Sequence, residues 1–274
     1  MNKKRFDFKR LILLVIMIIS VIICIISIKS IIRWKLDSNK TKKQLEEIQE
    51  LTEIEEVKET EKIEIIKQEE ELSETNPYWD YIKMNLINVN FNDLISINSN
   101  TKGWIQVNGT NINYPFVQAD DNKYYLTHSF DSSYNSAGWV FLDYRNDINQ
   151  MKKNTIIYAH GRVDNTMFGS LKNILKSGWL NNQDNYVIKL STISENTLWQ
   201  IFSVYRIPTT SDYIKVDFNS EEEFVNWSSL LINRSAHNFN TNVNTNDKVL
   251  TLSTCYNDSE KVVLHAKLIK KETR

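Results

Sequence analysis

Hydrophobic and polar positions divide the chain into three regimes. Leu11 to Ile28 is an unbroken run of eighteen uncharged, mostly apolar residues, close to the ~20 that a helix needs to cross a ~30 Å hydrocarbon layer. From about Asp37 to Thr75 the apolar residues thin out. Leu45, Ile48, Leu51, Ile54, Val57, Ile63, Ile66 and Leu72 recur three or more apart without a sustained heptad, among six Lys and thirteen Glu between Lys40 and Glu74. With no Gly, Pro or aromatic residue there, this stretch is acidic and helix-favouring, and reads as a charged helical or disordered stalk. Fully helical, it would reach on the order of 50 Å. Pro77 marks its end, and from residue 76 onward a period of two dominates.

That alternation predicts strands at Trp104 to Asn108, Asn111 to Val117, Gly138 to Tyr144, Thr155 to His160, Tyr186 to Ser191, Thr197 to Ile207, Lys248 to Thr254 and Lys261 to Ile269. Asn108-Gly109, between the first two, suits a tight hairpin turn with φ above zero. Helical patterns cover Tyr78 to Met84, Phe91 to Asn98, Met167 to Lys176 and Glu221 to Asn233. The last is opened by Ser220 with Glu223 three residues on, a capping box. Eight short strands with few helices predict a mainly β fold, a barrel or a sandwich.

Composition removes several function classes. Lys+Arg 33 against Asp+Glu 34 gives a net charge of −1, which argues against a nucleic-acid binder held by phosphate contacts. Neither GxGxxG nor GxxxxGK[ST] occurs, so no glycine-based phosphate loop is expected. The 2 Cys and 4 His form neither a CxxC pair nor HExxH, so we expect no metal and no cofactor. The apolar run at 11–28 exceeds a signal-peptide core of about 15 and lacks a small-x-small cleavage site, so it reads as a retained anchor. Lys3, Lys4, Arg5, Lys9 and Arg10 precede it, while Lys29, Arg33, Lys35, Lys40, Lys42 and Lys43 follow. Charge counting therefore assigns no orientation.

Candidate chemistry centres on one thiol. Cys24 lies inside the apolar run, which leaves Cys255 without an intramolecular disulfide partner. Cys255 ends the strand-like run Val249 to Thr254, in which Leu250 and Leu252 can face a core, and polar Tyr256-Asn257-Asp258 follow. A thiol at a strand mouth is open to approach, and a nucleophilic thiol needs a base or ion-pair partner. Among the four histidines His160 also closes a hydrophobic strand. His128 sits in an aromatic stretch and reads as packing, His237 belongs to an Asn-rich loop, and His265 alternates within a strand as a structural residue would.

Thr251-Leu252-Ser253-Thr254-Cys255, followed by Val262 to Leu268, resembles the catalytic-cysteine strand pair of class B sortases, and Tyr158-Ala159-His160-Gly161 resembles their catalytic-histidine segment. Further similar blocks run through Gly103-Trp104-Ile105, Thr110 to Pro115, Asp121 to Leu126 and Phe141 to Asn146, so that the likeness covers about residues 77–270. The resemblance implies an eight-stranded sortase-like β-barrel with peripheral helices. Ahead of it the chain would carry a basic cytoplasmic tail (1–10), a single-pass anchor (11–28) and the stalk (29–75), with the catalytic domain (76–274) outside the cell membrane. It also implies a transpeptidase without cofactor: Cys255 attacks the backbone of a C-terminal sorting motif on a surface protein, a thioacyl-enzyme forms, and an amine of peptidoglycan takes the acyl group. His160 would move the proton.

One position departs from the family pattern. Counting back from the Val-Leu-His-Ala-Lys-Leu run, the place of the family's arginine is held by Lys261, which keeps the charge but loses the planar fork. Arg162, Arg206 and Arg234 are the other candidates for that role. The resemblance further suggests Ser253, Thr209, Tyr213 and Ile214 as parts of a peptide groove, although loop packing also accounts for Tyr213 and Ile214. The alternative activity is a weakly active or inactive sortase-fold binding module on a membrane tether, and its support is Lys261.

Overall fold

The computed structural model describes residues 8–57, 62–66 and 72–274. Lys3, Lys4 and Arg5 of the expected tail, and residues 58–61 and 67–71 of the expected stalk, lie outside them. In chain order the described elements are α1 (Phe8–Leu51), β1 (Ile54–Val57), β2 (Ile63–Ile65), α2 (Tyr78–Tyr81), β3 (Leu86–Val89), α3 (Asn92–Ile97), β4 (Thr101–Val107) and β5 (Asn113–Val117). They continue with β6 (Phe141–Leu142), β7 (Asn154–Tyr158), α4 (Ser177–Leu180), β8 (Val187–Thr192), β9 (Glu195–Pro208), α5 (Glu221–Arg234), β10 (Val249–Cys255) and β11 (Glu260–Thr273).

The eight strands expected from alternation are β4 to β11, and they close on themselves. Neighbours run β10, β7, β6, β5, β4, β8, β9, β11, and β11 returns to pair antiparallel with β10. Two of the pairings, β5 with β6 and β7 with β10, are parallel. Closure leaves these strands without a free edge. The far end of β11 carries one further partner, β2.

Period two sorts the side chains into two layers. Leu250, Leu252, Ile157, Leu264, Ile105, Phe116 and Trp199 fill the barrel and are fully buried. The opposite faces of β9 and β11 present Phe202, Tyr205 and Val263 to Phe224, Trp227 and Leu231 of α5, forming a second core outside the barrel wall. The α5 start matches its expected cap: the Glu223 N–H donates to Ser220 Oγ at 3.1 Å. The Glu223 carboxylate reaches the Asn219 N–H, one residue before the cap, so the reciprocal half of the box is displaced by one position. The helix expected over Met167 to Lys176 is a 3₁₀ helix from Gly169 to Leu175.

Part of the segment expected as a stalk touches the catalytic domain: α1 continues unbroken from the apolar run to Leu51, and its second half lies on the barrel. Thr41 and Ile48 are buried, Ser38 Oγ donates to Asp164, Asn135 Nδ2 donates to Thr41 Oγ1 at 3.0 Å, and Lys40 Nζ donates to Ser133 Oγ at 2.7 Å. Beyond it β1 pairs with β3. The helix-favouring composition of 40–74 is overridden at Ile54-Glu55-Glu56-Val57 and Ile63-Glu64-Ile65, where sheet partners supply the backbone hydrogen bonds.

Candidate active site

Strand register builds the site. In the β10–β11 pair Cys255 stands directly opposite Lys261, Ser253 opposite Val263 and Thr251 opposite His265. In the parallel β7–β10 pair Ser253 stands opposite Tyr158. Because Leu250, Leu252 and Ile157 point inward, Tyr158, Ser253, Cys255 and Lys261 share the outer face, and two residues past Tyr158 the chain brings His160 level with Cys255.

Two contacts fix that level. Thr254 Oγ1 donates to the Ala159 carbonyl at 2.8 Å. A Cβ placed on Gly161 would lie 2.1 Å from the Cys255 carbonyl oxygen, so only glycine lets the histidine turn press this closely on the end of β10. The His160 Nε2–H donates to the Leu126 carbonyl at 2.8 Å, which leaves Nδ1 as the basic nitrogen of the neutral ring. Leu126 ends a 3₁₀ turn, and Gly138 packs over it in the left-handed region (φ +61°), where a Cβ would strike the Tyr125 and Leu126 carbonyls at 2.4 and 2.9 Å.

Lys261 is aimed at the thiol. Its Nζ donates to Cys255 Sγ at 2.9 Å, and both residues are half-buried. The three arginines considered as substitutes are committed elsewhere. Arg206 forms a two-point bridge to Glu260 and stacks 3.9 Å over the Tyr256 ring; Arg234 pairs with Asp212; Arg162 is buried against Asp164 and Thr166. None of the three lines the cavity that holds the thiol.

That cavity, about 700 Å³, is lined by all seven nominated residues: Cys255, His160, Lys261, Ser253, Thr209, Tyr213 and Ile214. Ser253 Oγ and the Tyr213 hydroxyl are 2.9 Å apart, and the Thr209 N–H and hydroxyl donate to the Ser259 carbonyl at 2.9 and 3.2 Å. Burial raises the Tyr213 pKa, so this hydroxyl stays protonated. Sequence reasoning missed Asn122, Leu126, Phe141, Tyr158 and Thr254 as lining residues. It also missed their support. Burial pushes the Asp143 carboxyl up, but hydrogen bonds from Arg145 and Tyr158 outweigh it and hold the group below the usual carboxylate range. Arg145 in turn donates to the Ile214 carbonyl at 3.1 Å and so ties the groove wall to the barrel.

The other histidines are placed away from the thiol. His265 is fully buried under α5, with Nε2 2.8 Å from the Tyr205 hydroxyl and Nδ1 2.9 Å from Thr251 Oγ1. Burial lowers its pKa to about 3. His128 stacks on Tyr124 with ring centroids 4.0 Å apart, and His237 Nε2 lies 3.0 Å from the Tyr186 hydroxyl. Among the described residues no cluster of three His, Cys, Asp or Glu is placed to hold a metal ion.

Known proteins share this architecture. Residues 105–269 match the Sortase domain family. Sortase B of Staphylococcus aureus is 34% identical over 184 residues, 66% of this chain and 75% of that protein. Among solved structures, a Bacillus anthracis protein similar to sortase B is 40% identical with a TM-score of 0.61, covering 66% of this chain and 82% of its own. A Staphylococcus aureus sortase B–substrate complex gives 33% and 0.62, covering 66% and 84%. With the family match over the barrel and the cysteine and histidine strands in register, the chain belongs to the sortase family of cysteine transpeptidases, class B.

Proposed function

We propose that this class B sortase, a transpeptidase of the surface-protein anchoring kind, is held in the cell membrane by residues 11–28 and works outside it through a thioacyl-enzyme on Cys255. The observation that carries the mechanism is the 2.9 Å contact between the Lys261 ammonium and Cys255 Sγ, in a cavity that His160 also lines. His160 Nδ1 takes the proton of the Cys255 thiol, the sulfur attacks the scissile carbonyl of a C-terminal sorting motif, and the carbonyl electron pair moves to oxygen, beside the Lys261 charge. As the tetrahedral centre collapses, the departing amine takes a proton from His160, held through Leu126. In the second half the acceptor amine gives a proton to His160 as it attacks the thioester, and sulfur leaves. The thioester conserves the energy of the broken peptide, so no nucleotide is consumed.

The groove would bind the extended motif along Tyr213, Ile214, Ser253 and Thr209, with a peptidoglycan amine entering as acceptor. The substrate complex of the Staphylococcus aureus relative supports this substrate class. The membrane reading is supported by α1, whose apolar window contains no residue buried in the protein. An inactive binding module is not favoured, because the departure at Lys261 that motivated it brings a cation onto the thiol. The test is a fluorogenic sorting peptide mixed with an amine acceptor. The full chain should yield the ligated product, and Cys255→Ala or a thiosulfonate reagent should abolish both cleavage and ligation. Cleavage retained in the alanine variant would refute the assignment.

A further inference from the structure

Where α1 passes from its apolar run to the barrel, a second cavity of about 270 Å³ opens, lined by Ile26, Lys29, Ser30, Arg33 and Trp34 of the helix and Ser136 of the catalytic domain. Lys29 and Arg33 are one helical turn apart and so project together. Neither has an ion-pair or hydrogen-bond partner among the described residues. Ile26 belongs to the apolar run, and the Trp34 ring carries the Arg162 guanidinium on one side, 5.4 Å from its centroid. Asp37, the acid next along the helix, is engaged: its Oδ2 accepts from the Ser136 N–H and hydroxyl at 3.3 and 2.5 Å.

We propose that this cavity binds the headgroup phosphate of an anionic phospholipid, wedged between the anchor helix and the catalytic domain. The inference rests on the reading that 11–28 crosses the membrane. The lining is amphipathic in membrane order. Ile26 offers an apolar contact to an acyl chain, Lys29 and Arg33 follow as paired cations at the depth of the headgroups, and Trp34 is the amphipathic ring enriched at such depths. A free phosphate accounts for the cations but leaves Ile26 and Trp34 without a role. Ser136 makes the site more than a basic flank, because the Asp37 contact closes it with the barrel wall. Trp34 stands six residues beyond the run, about 9 Å at a helical rise, so the barrel face around Ser136 would lie at the membrane surface.

The experiment is native mass spectrometry of the full chain released from micelles containing equal phosphatidylglycerol and phosphatidylcholine of matched chains. The wild type should retain one phosphatidylglycerol, preferred on the order of tenfold. Lys29→Gln with Arg33→Gln should erase the preference, and Ser136→Phe, at an exposed position that fills the cavity, should erase it independently. Lys9→Gln with Arg10→Gln, at the other end of the run, should keep it. Equal retention of the two lipids, or a preference that survives in both the helix pair and Ser136→Phe, would overturn the site while leaving the span intact. Inorganic phosphate that displaces the lipid at millimolar concentration would reassign the site to free anions. Release of the chain from vesicles by an alkaline wash would overturn the span, and the site with it.

Discussion

The Lys261 ammonium donates to Cys255 from across a strand pair, and among the described residues no other lysine or arginine lines the groove. A lysine places one charge near a developing oxyanion but cannot hold two acceptors in one plane, as guanidinium does. Losing one such donor typically costs about 10²- to 10³-fold in rate. Lys261→Ala should therefore lower kcat/KM for a sorting peptide by about that factor, and Lys261→Arg should hold or raise it. Unchanged rates in both variants would remove Lys261 from the mechanism. The position was legible by counting along the sequence; its aim was not, because a loop of a few residues sends a side chain to either face of a sheet.

Two histidines make opposite claims at the same scale. His160→Ala should cost about 10²-fold or more in turnover with the fold intact. His265 is held neutral by burial: an unfolded chain binds its proton below about 6.5, while the folded chain refuses it until about 3. Its contribution to stability is therefore complete above pH 6.5 and is lost as pH falls toward 3, with a slope approaching about 1.4 kcal/mol per pH unit. Urea unfolding between pH 7.5 and 4.5 should show this slope, and His265→Gln should flatten it without moving the pH profile of cleavage. A flat wild-type curve would contradict the burial argument.

Among the elements, β7 and β10 matter most, because their parallel register sets the histidine turn against the cysteine. Gly161 is the joint. An added Cβ meets the Cys255 carbonyl, a backbone atom that cannot rotate away. Gly161→Ala should lower the melting temperature by several degrees, consistent with ~1–3 kcal/mol of overpacking, and cut kcat/KM more than tenfold. A fully active, equally stable variant would show the turn to be slack. Both strands were readable from their alternation, and so were the seven groove residues once the two motifs were aligned with a family. The Leu126 carbonyl was not readable, since a backbone acceptor leaves no residue-type signal. Arg145 was equally hidden: it is close in sequence to Asp143 but reaches Ile214 only in the folded chain. The strands β1 and β2 escaped for another reason, their Glu-rich composition favouring helix until partners from β3 and β11 are present.

At the scale of the whole molecule, α1 runs as one helix from the apolar stretch to Leu51, and its second half is held against the catalytic domain. Asp37, Ser38 and Thr41 contact the loops around Asn135 and Asp164, which flank the Leu126 and His160 segments respectively. The groove therefore has a defined attitude to α1. All of this serves one covalent event. The most direct measurement is the intact mass of the full chain, acid-quenched within seconds of mixing with a class B sorting peptide. The account predicts a mass gain equal to the amino-terminal fragment of the peptide, mapped to Cys255, cleared by an added amine and absent in Cys255→Ala. Peptide cleavage at full rate with no adduct on Cys255, or with the adduct on another residue, would contradict it.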